Sequence, residues 1–178
     1  MTATTKDIAE FLALAAGNEL LPSAAAVEWA DSIIQSEDRP PDWTFDLSLA
    51  KNKCLADVCR LLHNVPGTTS GDLPLKLLFA FVNWQWKEGH IDRSRLAATL
   101  YQCIWWPDFS RYPCFSDEIL AGRGRMLLDI SDGYSLVDDG FEKLEDVDLR
   151  AKEFLAEYQS YFQMIPKFFF KKAHKSNI

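Results

Sequence analysis

Cys59 and His63 stand four residues apart, and Cys54 precedes them by one and a half helical turns. On a helix that spacing presents a thiolate and an imidazole on adjacent faces, and Cys103 or Cys114 would complete a tetrahedral zinc site. The chain has neither C-x-x-C nor H-E-x-x-H. Cys54 and Cys59 also fall in an apolar stripe with Leu55, Val58, Leu61 and Leu62, where cysteine serves as a small core residue. The expectation is no metal and no cofactor. A cysteine nucleophile paired with His63 or His90 needs an exposed thiol of lowered pKa, which apolar surroundings do not supply.

Four other groupings carry less. Asp42 and Asp46 share a helical face, but a cap and a solvated charge explain them. His90 and Asp92 flank a turn and read as capping residues. Gly122-Arg123-Gly124-Arg125 follows no hydrophobic strand and lacks the Gly-Lys-Ser/Thr of a phosphate loop, so it reads as surface charge. The acids between Asp129 and Glu142 fail the register of a calcium loop: with Gly133 or Gly140 as the turn glycine, apolar residues fall at ligand positions.

Charge segregation is stronger. Asp129, Asp132, Asp138, Asp139, Glu142, Glu145, Asp146, Asp148, Glu153 and Glu157 are opposed over the same stretch only by Lys143, Arg150 and Lys152. The imbalance equals the whole chain's net charge of −7. A single-sign surface attracts a basic partner and excludes general nucleic-acid binding, which needs a basic footprint. The first eight of those acids are the expected partner-binding residues.

The elements that must position these residues read as helices. Ile8, Phe11, Leu12 and Ala15 recur at helical spacing over 5–16, and Ser23 is placed to cap a helix to Gln35. Pro40-Pro41 stops the chain. Residues 42–63 read as two short helices broken near Lys51-Asn52, with Phe45, Leu47, Leu49 and Ala50 apolar in the first. Asp72 to Glu88 is the expected central helix, apolar almost all round, with Leu78, Phe79, Val82 and Trp86 fully buried. It opens an aromatic-rich stretch from Leu73 to Phe115. Asp92 caps a helix to Ile104 whose inward side carries Leu96, Ala97, Leu100, Tyr101 and Ile104. An irregular loop follows from Pro107 to Phe115. A helix from Ser116 to Ile130 is weakened by Gly122 and Gly124, 131–140 reads as turn, and the last helix runs from Leu144 to Phe162.

A chain of 178 residues can bury a substantial core. The reading is all-α: one irregular bundle of six to eight helices over 1–165, with a basic, frayed tail at 166–178 that includes Lys167-Phe168-Phe169-Phe170-Lys171-Lys172. No secretory leader and no stretch of 18 apolar residues is visible, so the expected compartment is the cytoplasm and the expected cysteines are free thiols. This small, acidic, helical picture without a catalytic kit resembles bacterial interaction proteins, including immunity proteins that neutralise a cognate toxin. It implies a protein-binding module whose acidic surface covers a basic protein. The rival is a small enzyme or ligand-binding protein with an aromatic pocket around Trp84, Trp105 and Trp106, and His63 or His90 as its polar group.

Overall fold

The computed structural model describes residues 2–105 and 117–170, with side chains placed for 2–103 and 124–170. Among the described residues there are eight α-helices and no strand: α1 (Thr5–Gly17), α2 (Ala24–Ser36), α3 (Asp42–Ser48), α4 (Leu55–His63), α5 (Leu73–Lys87), α6 (Arg93–Trp105), α7 (Asp117–Asp138) and α8 (Leu144–Ala156). Two short 3-10 helices follow, Gln159–Met164 and Lys167–Phe169. The all-helical expectation is met. No helix among the described residues is long and apolar enough to cross a membrane.

The described residues gather into two compact units, one up to Leu78 together with the segment from Met164, the other from Phe79 to Gln163. The division falls inside α5, where no change of composition marks it.

In the first unit α1 is buried on every side from Asp7 to Ala16. Its start is fixed by a reciprocal cap: Asp7 N–H donates to Thr4 Oγ1 (3.1 Å), and Thr4 N–H donates to the Asp7 carboxylate (2.9 Å). The same carboxylate accepts from Ser70 N–H (2.7 Å) and Ser70 Oγ (2.9 Å), which pins the polar loop before α5 onto α1. Helix α1 ends in a Schellman turn, with Leu20 N–H donating to Ala15 O and Glu19 N–H to Ala16 O. Glu19 takes the left-handed position at φ 52° that glycine normally fills. Helix α4 packs on α1, and α2 packs on α3.

Several local expectations change here. Ser23 makes no side-chain cap bond, because its own backbone is already helical. Phe45 and Leu49 are exposed, since α3 is only two turns long and buries Thr44 and Leu47 instead. Cys54 is exposed as well: it sits at the N-cap of α4, outside the apolar face it was expected to join. In the tail, Phe169 is fully buried and meets Phe11 edge to face at 6.2 Å.

In the second unit Phe79 packs against Phe154 (5.2 Å) and Tyr158 (4.9 Å). Phe79 and Val82 are buried as expected, as is Leu78 of the first unit, but Trp86 is only half-buried, and Asn83 and Gln85 are buried beside it in sequence. Helix α7 continues through the stretch expected to turn. Ser131, Asp132, Gly133 and Ser135 are weak helix formers, yet Ile130 and Tyr134 are buried and hold the helix by packing. Gly133 is where α8 comes close: a Cβ there would stand 3.1 Å from Val147 Cγ1 and 2.8 Å from Arg150 Nη2. The α7 helix ends at Asp138 in a second Schellman turn, in which Gly140 (φ 79°) occupies the left-handed position, Gly140 N–H donates to Val137 O and Phe141 N–H to Leu136 O.

Candidate functional site

In the first unit the chemistry-bearing groups that meet are Glu10, His63 and Lys6. His63 Nδ1 lies 2.8 Å from Glu10 Oε2, and Lys6 Nζ donates to Glu10 Oε1 and to His63 O, both at 2.6 Å. Burial pushes the Glu10 carboxyl up, but hydrogen bonds from His63 and Lys6 outweigh it and hold it at about 2. These contacts tie α1 to α4, and the ring nitrogen that faces Glu10 is taken. Cys59 Sγ points at Ala13 O (3.8 Å), and burial pushes its thiol pKa up. Cys103 is buried and pushed up to about 12 by the same cause. Neither thiol is primed as a nucleophile. Among the described residues no three His, Cys, Asp or Glu side chains form a metal-holding group. Cys114 lies outside the described residues.

Asp42 and Asp46 are both exposed on α3. In the second unit Trp84 packs against His90 (5.0 Å), Phe162 (6.0 Å) and Phe81 (5.5 Å), so its ring lies in an aromatic cluster. Trp106 and the side chains of Trp105 and Arg123 lie outside what is described, and Arg125 is exposed.

The second unit does hold a groove, of about 690 Å³, between α6 and α7. Asp92 builds its α6 wall by capping that helix, accepting from Arg95 N–H at 2.7 Å. Ser94, Ala97, Ala98 and Tyr101 follow at helical spacing along the wall. Tyr101 is therefore 45% exposed at the groove rather than inward as its spacing with Leu96 and Leu100 predicts. The α7 wall carries Ser131, Asp132, Ser135 and Asp138. Small residues on both helices leave the space open.

The eight expected partner-binding acids divide by environment. Asp148, half-buried on α8, accepts from Arg93 Nε (3.1 Å) and Nη2 (3.0 Å) and from the Tyr134 hydroxyl (2.9 Å). Partial burial pushes its pKa up, and the Arg93 and Tyr134 hydrogen bonds outweigh that and lower it. Burial and the Asp148 carboxylate together push Tyr134 well above the usual phenol range. Asp148 thus joins α6, α7 and α8. Arg150 pairs with Glu142 and, at 3.3 Å, with Asp129. Asp132, Asp138, Asp139, Glu145 and Asp146 are exposed. Of these, the side-chain carboxylates of Asp132, Asp138, Asp139 and Glu145 have no hydrogen-bond or ion-pair partner among the described residues.

The turn between α7 and α8 adds a residue that charge counting does not reveal. Phe141 is 80% exposed, with Leu136 and Leu149 also exposed nearby in sequence. Its sequence cue is position: in a Schellman turn the residue after the glycine usually makes an apolar contact with the last helical turn, and here it follows Asp138-Asp139-Gly140. An exposed phenylalanine ringed in sequence by carboxylates can anchor a protein contact, while the carboxylates steer it.

No protein-family model matches the chain, and neither a curated protein nor a solved structure matches it either.

Proposed function

We propose that the chain is a protein-binding module of immunity type, whose acidic α7–α8 corner covers a basic site on a partner such as a toxin domain. The observation that carries this reading is the pairing of unneutralised carboxylates with an exposed aromatic on one corner: Asp138, Asp139 and Glu145 around Phe141. Exposed carboxylates act over about 8 Å in physiological salt and set the association rate. A central aromatic sets the dissociation rate. Asp129, Glu142 and Asp148 serve the same surface by holding its helices in place.

The test is to isolate the partner on immobilised protein and measure both rate constants. Reversing Asp139, Glu145 and Asp146 to lysine, all outside the groove, should slow association about tenfold or more at low salt. Phe141→Ala should speed dissociation about tenfold or more, the range of a hot-spot aromatic. If the captured partner is not basic, or if the reversed protein associates at the wild-type rate with the wild-type salt dependence, the reading fails.

A further inference from the structure

We infer that the groove between α6 and α7 seats an arginine side chain of the basic partner. This rests on the protein-binding reading above and adds a defined pocket to it. Three observations point to a cationic group. The groove is lined by Asp132 and Asp138, whose carboxylates have no partner among the described residues. Among the described residues the one cationic side chain in its lining, Arg93, is bound through two nitrogens by Asp148 and does not neutralise them. Asp138 closes a helix of 22 residues with no basic side chain in its last turn, so the negative end of the helix dipole adds to the carboxylate charge instead of being offset. That arrangement disfavours the free protein and favours a bound cation.

The rest of the lining suits a long side chain with a flat cationic head. Ala97, Ala98 and Val137 offer apolar surface to a methylene stem. A carboxylate receives a guanidinium through two parallel N–H bonds. An ammonium cannot match that planar fork. The volume, about 690 Å³, has room for the side chain together with its flanking backbone.

The experiment uses the full chain, labelled with nitrogen-15 and titrated at low salt with the capped peptide acetyl-Gly-Arg-Gly-amide. The same peptide with citrulline removes the charge and keeps the shape, and a third with lysine keeps the charge and removes the plane. The arginine peptide should shift the backbone amides of Ala97, Ala98, Ser131 and Ser135, saturating with a dissociation constant of about 1 mM, as expected for so small a ligand. Citrulline should shift none of them. Asp132→Asn with Asp138→Asn, both at exposed positions, should weaken binding about tenfold or more. Glu145→Gln with Asp146→Asn, outside the groove, should change it less than about twofold. Equal binding of citrulline, or shifts that never saturate and spread evenly over all exposed acids, would overturn the pocket. Lysine binding as tightly as arginine would overturn the guanidinium assignment. Either failure leaves the association-rate test of the corner as it stands, because that test reverses charges outside the groove.

Discussion

His63 and Glu10 meet between α4 and α1, with Nδ1 2.8 Å from Oε2, and the contact makes stability depend on acid. The Glu10 carboxyl titrates at about 2 in the folded chain against an ordinary 4.5. A group whose folded pKa is depressed adds stability above its unfolded value and loses it as pH falls through the folded one. The contribution, roughly 3 kcal/mol from the size of the shift, should be complete above pH ~4.5 and drain away toward pH ~2. Denaturant melts across that window should show the loss in wild type and a flatter dependence in Glu10→Gln. Parallel curves for the two proteins would show that Glu10 does not carry the linkage.

Two glycines of α7 should respond oppositely to the same substitution. Gly133→Ala should destabilise by about 1–3 kcal/mol, because the new methyl group meets Val147 and Arg150. Gly124→Ala meets nothing within 4 Å and should stabilise by up to about 1 kcal/mol through helix propensity. Urea midpoints of the two variants decide it, and the same sign for both would refute the close approach of α8 at Gly133.

Glu19→Gly should raise stability by about 0.5–1 kcal/mol. Its left-handed backbone costs a side chain roughly 1–2 kcal/mol, and glycine gives part of that back as unfolded-state entropy. A thermal midpoint below that of wild type would mean that the Glu19 side chain contributes more than its backbone costs.

Thiol labelling of the native protein should modify Cys54 first and Cys103 only after unfolding. Cys54 is exposed, whereas Cys103 is buried with its pKa pushed up to about 12. Mass spectrometry of the labelled peptides reads the order. Early modification of Cys103 would place it at a surface.

The helices were legible wherever period and punctuation agreed. Ile8, Phe11, Leu12 and Ala15 mark α1, Pro40-Pro41 ends the segment after α2, and Gly89 closes α5 with His90 N–H donating to Gln85 O. Residues 131–138 were illegible because tertiary packing overrides propensity there: a glycine that looks like a turn is the gap that admits α8. Tyr101 has inward spacing and lies at a groove, because what covers it depends on the small residues of another helix. The acidic stretch was visible as composition, but its division was not. Arg93, which binds Asp148, lies 55 residues away in sequence, and no local pattern ties the two.

The turn at Gly140 has a consequence for how tightly the corner can bind. Gly140 and Phe141 are held to the end of α7 by their own backbone N–H groups before any partner arrives. A loop of the same sequence without those bonds would surrender about 1–2 kcal/mol of backbone entropy per residue on being immobilised. Here that ordering is completed during folding, so the phenylalanine meets its partner already presented and loses only side-chain freedom.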